Sequence, residues 1–156
     1  MTEAEVKDLI KDWHGYRAKN ETDPFYRFMC HWICFNAWLD HQSGEYTDRA
    51  MINWLKLQTP DTSDIVASYE AMKITTVGNQ NLQALVSMGP ILDSRGRGSI
   101  SMSDINDRDD IIEAIYKIRC NLFHGGKRSS STRDAKIVAC ANNIMTKWID
   151  NLTDNW

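Results

Sequence analysis

Apolar residues recur at helical spacing along almost the whole of this chain. Val6, Leu9, Ile10 and Trp13 fall on one side of a first helix predicted from about Glu3 to Trp13. Asp23-Pro24 then supplies an N-cap and a proline at the first helical position. Behind it, Phe25, Phe28, Met29, Trp32, Ile33, Phe35 and Leu39 make a wide apolar arc, which predicts a central helix ended by Ser43-Gly44. A third helix, Thr47 to Leu57, turns Met51, Trp54 and Leu55 inward. It stops before Thr59-Pro60, because proline restricts the preceding residue and breaks the hydrogen-bond ladder. Two shorter helices follow, about Ser63 to Lys73 and Gln80 to Met88, the second closed by Gly89-Pro90.

From Ile91 to Ser103 the periodicity lapses. Ser94-Arg95-Gly96-Arg97-Gly98-Ser99 has no burial pattern and reads as a loop, with no hairpin. Helical spacing resumes from about Asp107 to Leu122, where Ile111, Ile112, Ile115 and Ile118 line one side. Asp107, Asp109 and Asp110 sit in its first turns, where the helix dipole favours acids. A last helix runs from Arg133 to about Asp150 on a stripe of Ile137, Ala141, Ile144, Met145 and Trp148. No repeat or linker interrupts this order. The expectation is all-α: one domain over 1–156, an up-and-down helical bundle of about five to seven helices.

Composition refines the picture modestly. At 156 residues the chain is long enough for one substantial core. A net charge of -3 argues against broad wrapping of nucleic acid, but leaves room for a local cationic site. Cys30 and Cys34 lie one helical turn apart and, with Cys120 and Cys140, read as thiols rather than staples. No apolar run approaches membrane-spanning length, and the acidic start Met1-Thr2-Glu3-Ala4-Glu5 lacks a signal-peptide core, so a cytoplasmic protein is expected.

The candidate chemistry lies in Arg119-Cys120-Asn121-Leu122-Phe123-His124-Gly125-Gly126-Lys127, where an apolar-periodic helix gives way to a glycine turn. Between Lys117 and Lys136 stand Lys117, Arg119, Lys127, Arg128, Arg133 and Lys136 against one acid, Asp134. Cleavage of RNA by its own 2′-hydroxyl needs a base, positive charge near the phosphorane and an acid for the leaving oxygen. Histidine serves as base or acid near neutral pH. Arginine offers phosphate a fixed fork of donors. The candidate catalytic residues are therefore Arg119, His124 and Asn121, and the candidate phosphate-binding residues are Lys127, Arg128, Arg133, Arg95 and Arg97. This chemistry calls for no metal and no cofactor.

Plainer roles exist for each residue. His124 suits a helix cap, and Arg119 suits a structural ion pair with Glu113 or an acid elsewhere. Arg95 and Arg97 suit a solvated loop, as Lys127 and Arg128 suit a solvated turn. Asn36, between Phe35 and Ala37, is either a satisfied core amide or a contact to the Arg119 helix.

The run from Arg119 to Lys127 resembles the signature of the HEPN superfamily (higher eukaryotes and prokaryotes nucleotide-binding domains). That signature is an arginine, commonly with a polar residue close behind, then four to six positions and a histidine. Arg119 and His124 match it with four residues between, and Asn121 matches the polar residue in a displaced position. Trp32-Ile33-Cys34-Phe35-Asn36-Ala37-Trp38-Leu39 resembles the aromatic-rich helix of many members. The resemblance implies a metal-independent endoribonuclease, often a toxin or defence effector. It implies a homodimer whose cleft takes the arginine and histidine of both protomers. Arg119 would bind phosphate, His124 would transfer protons and Asn121 would position. The implied partners are RNA, single-stranded, and an antitoxin protein. In one toxin subgroup an antitoxin modifies a tyrosine two positions after the histidine; here Gly126 stands there. Other members are noncatalytic RNA-binding or protein-interaction modules.

Overall fold

The computed structural model describes residues 1–124, 132–154 and 156. Among them seven helices form an all-α, up-and-down bundle. The first, α1 (Glu3–Asp12), runs on through a π-helical turn (Trp13–Arg17) into a final α turn (Ala18–Asn20). Then come α2 (Pro24–Ser43), α3 (Asp48–Lys56), α4 (Asp64–Lys73), α5 (Thr76–Ser87), α6 (Arg108–Phe123) and α7 (Thr132–Thr153). None of these helices is long and apolar enough to cross a membrane.

The helix ends follow from local chemistry. Thr2 and Glu5 form a capping box, in which Glu5 N–H donates to Thr2 Oγ1 and Thr2 N–H donates to Glu5 Oε2. Asp23 caps α2 by accepting from Phe25 N–H at 2.8 Å, with Pro24 in its first turn. Gly44, at φ 65°, ends that helix in the left-handed conformation glycine tolerates. Helix α5 starts earlier than the apolar spacing implied, because Thr75 Oγ1 caps it through Gly78 N–H at 3.0 Å. A β-carbon at Gly78 would collide with the Met72 carbonyl, so α4 and α5 join only through a residue without one.

The longest helices, α2 and α7, pack along each other, and α7 also carries α4 and α5. Trp148 of α7 is 1% exposed and sits between Phe35 and Tyr69, with ring centroids 4.9 and 5.1 Å away. Its indole N–H donates to the Ile65 carbonyl at 2.8 Å, so this large ring is both buried and satisfied. Cys34 is a buried free thiol, pushed up to about 12 by burial.

A buried polar group crosses the same seam. His31 Nδ1–H donates to Asn142 Oδ1 at 2.8 Å, and His14 Nε2–H donates to Asp150 Oδ1 at 2.8 Å. The two imidazoles lie 5.1 Å apart, with His14 on the π-helical turn. Burial holds the His31 imidazole down to about 4, against the opposing pull of its bond to Asn142. Asn36 takes neither of its expected roles through its oxygen: Oδ1 is buried with no hydrogen-bond partner among the described residues.

One expectation is corrected. Residues of the supposed loop form a minimal antiparallel hairpin, β1 (Ile91–Leu92) and β2 (Ser99–Ile100), with Ile91 opposite Ile100 and Leu92 opposite Ser99. Two-residue strands cannot display the alternation that marks a strand in sequence. Gly96 and Gly98, at φ 73° and 100°, let the chain reverse between them.

Candidate functional site

Helix α6 ends where the glycine signal placed its end. His124 is its C-cap, and its backbone N–H donates to the Cys120 carbonyl at 3.0 Å. The side chain stands exposed at the helix terminus. Three bonds then dock the hairpin against the last turns of this helix. Asn121 Oδ1 accepts from Ser94 N–H at 3.0 Å, and Asn121 Nδ2 donates to the Leu92 carbonyl at 2.8 Å. Lys117 Nζ pairs with Asp93 Oδ2 at 2.7 Å. Asp93 also accepts from Arg95 N–H at 2.7 Å, which shapes the start of the hairpin tip.

The docked hairpin carries its two arginines to the histidine. Arg95, Arg97, Lys117, Asn121 and His124 line one cleft of about 240 Å³, together with Arg49 of α3 and with Asp93 as the acid among them. Partial desolvation holds the His124 imidazole below the ordinary value of 6.5, and the charges of Arg95, Arg119 and Arg97 add to it; Asp93 pulls the other way. His124 is therefore neutral at neutral pH, the form that can take a proton.

Arg119 has a different setting. Its Nη2 pairs with Asp48 Oδ2 at 2.6 Å at the start of α3. Its guanidinium lies 4.5 Å over the Phe123 ring and 5.7 Å from that of Trp32. The ion-pair role is thus occupied, and by Asp48 rather than Glu113. Glu113 is taken by Arg49 at 2.7 Å and Lys56 at 2.6 Å, which together hold its carboxyl below the usual range despite burial. Arg119 contributes charge to His124 but is not among the residues lining the cleft.

The remaining candidates divide. Arg133 donates to the Met88 and Pro90 carbonyls at 3.1 and 3.3 Å, tying the start of α7 to the segment that enters β1, away from the cleft lining. Lys127 and Arg128 lie outside the described residues. Arg49 and Lys117 are cleft cations that the candidate set omitted. Lys117 was visible in the basic stretch, whereas nothing in the sequence linked Arg49 to His124.

The fold and site define a helical bundle with a cationic cleft at one helix terminus, lined in part by a short hairpin. Comparison with protein-family models, with curated proteins and with solved structures finds no match for this chain.

Proposed function

We propose that this protein is a metal-independent endoribonuclease of HEPN type, cleaving single-stranded RNA by attack of the ribose 2′-hydroxyl on the adjacent phosphorus. The observation that carries this reading is an exposed histidine, depressed in pKa, in one cleft with two arginines. Neutral His124 accepts the 2′-hydroxyl proton. The oxygen attacks phosphorus, the bond to the 5′-oxygen breaks, and that oxygen leaves with a proton from an acid. Arg95 and Arg97 neutralise the phosphorane charge. The imidazolium formed when His124 takes the 2′-hydroxyl proton is the acid for the leaving oxygen, a homodimer brings two copies of His124 to one cleft, and a toxin or defence effector held by an antitoxin is the matching role.

The test is cleavage of single-stranded RNA by purified protein in chelator. Products ending in a 2′,3′-cyclic phosphate, lost in a folded His124→Ala variant, support the reading. Intact RNA across varied substrates overturns it. A second reading, a noncatalytic RNA-binding module, is favoured by the commitment of Arg119 to Asp48. It predicts salt-sensitive RNA binding without products.

A further inference from the structure

Asn121 is 2% exposed, and both ends of its side-chain amide are spent on the backbone of the hairpin. Its two side-chain hydrogen bonds both serve the hairpin. Through them it has control over what the ligand meets. The hairpin strands are two residues long, and a ribbon that short is not stable by itself. Its registry depends on docking: Ile91 buried in the core, Lys117 on Asp93, and the Asn121 amide bridging Leu92 and Ser94. The exposed tip beyond these ties carries Arg95 and Arg97. Long charged side chains on a free loop lose much entropy on binding, and fixing their backbone in advance removes part of that cost.

We propose that Asn121 is the positioning residue of this site, clamping the hairpin so that Arg95 and Arg97 act as a phosphate-binding arm beside His124. The clamp adds a device to the ribonuclease reading and rests on it for the identity of the bound group, a phosphodiester. Asn121 acts through the arm and touches no reacting atom.

The experiment follows the His124 imidazole by NMR, through pH titration and through titration with inorganic phosphate at fixed ionic strength. Two variants break the clamp from opposite sides. Asn121→Ala removes the amide. Ser94→Pro removes the N–H that donates to it, with Ser94→Ala as the control for the lost hydroxyl in the cleft lining: Gly96 N–H bonds the Asp93 carbonyl, so Ser94 is the second residue of a turn, where proline fits. Ser94 is exposed, so this variant leaves the core intact even if Asn121→Ala fails to fold.

Each clamp variant is expected to raise the His124 midpoint toward 6.5, because the groups lowering it include Arg95 and Arg97. Each weakens phosphate binding about tenfold and lowers kcat/KM for RNA by at least that factor, since the same arginines hold the phosphate and the phosphorane. Arg95→Gln with Arg97→Gln produces the same changes in the parent protein and adds nothing in either clamp variant. An unmoved midpoint and unchanged phosphate affinity in folded Ser94→Pro protein overturn the proposal. RNA left intact by the parent protein overturns the ribonuclease reading alone, and the titrations still decide the role of Asn121.

Discussion

Two polar clusters in this bundle each centre on a histidine with a depressed pKa, led in both by desolvation, but their exposure and charged neighbours differ. His31 is 1% exposed and is held neutral chiefly by burial, with a single amide partner on α7. His124 is exposed, and the charges of Arg95, Arg119 and Arg97 reinforce a partial desolvation at the cleft. Protonating His31 opposes the fold, whereas protonating His124 opposes its neighbours. The first cluster is a stability element joining α1, α2 and α7. The second is open to an anion, which would relieve the repulsion among its cations. Desolvation and cationic neighbours lower both histidines, so the exposure of His124 and the hairpin arginines in its cleft, rather than the shift itself, mark the ligand-facing cluster.

The largest contrast should come from removing each imidazole. His124→Ala is expected to reduce RNA cleavage by about 10²–10⁴-fold, the usual worth of a general base. Its thermal midpoint should match that of the parent protein, since the side chain is exposed. His31→Ala is expected to do the reverse, costing about 1–3 kcal/mol for the Asn142 amide left unpaired, besides lost packing, with cleavage per folded molecule unchanged. Denaturant melts and cleavage rates on both variants measure this. A large loss of stability in His124→Ala would erase the distinction.

The next effect is on acid stability. His31 titrates at about 4 folded and near 6.5 unfolded. The unfolded chain thus binds the extra proton as pH falls below 6.5. Stability is full above that value, declines through the interval and has lost about 3 kcal/mol by pH 4. Urea midpoints measured across this range should show the decline in the parent protein and a flatter profile in His31→Gln. Equal slopes would assign the acid sensitivity elsewhere, and not to Asp150, whose carboxyl is lowered by the bond from His14 and loses its contribution only below about pH 4.

The difference in neighbours was not legible in the sequence, although much around it was. The helices were readable because each carries its own apolar period, and His124 was readable as an end because glycines follow it. Partners distant in the chain were not. Asn121 bonds the main chain of Leu92 and Ser94, and backbone atoms leave no trace in residue type. Arg119 had several acids within plausible reach, and only the packing of α3 on α6 selects Asp48. The π-helical turn at His14 leaves the apolar spacing before it unchanged, so neither it nor the His14–Asp150 bond had a signal.

A smaller effect tests whether Arg119 belongs to the bundle or to the cleft. Its ion pair with Asp48 is about one-quarter exposed and should contribute about 1 kcal/mol or less to stability. Asp48→Asn frees the guanidinium while keeping the shape of the side chain. If Arg119 serves phosphate, KM for RNA should fall by about threefold in this variant, a change below 1 kcal/mol. If KM stays constant while stability drops, Arg119 is structural, and the cationic work of the cleft falls to the hairpin.

The smallest shift concerns the hairpin arginines and the pH profile. Arg95 and Arg97 disfavour the imidazolium of His124, so their charges lower the pH below which the base is lost. Replacing both by glutamine should move the acid limb of kcat/KM upward toward 6.5, so that cleavage is reduced most on the acidic side of that value. The same substitution should make RNA binding less sensitive to salt, by about one unit of slope for each phosphate that the arginines neutralise in the parent protein. His31 provides the internal control. Arg95 and Arg97 are absent from the groups that act on it, so the acid-stability profile of the double variant should coincide with that of the parent protein. If both profiles move together, the two clusters are coupled through the bundle. If only the kinetic limb moves, the hairpin charges act on His124 alone.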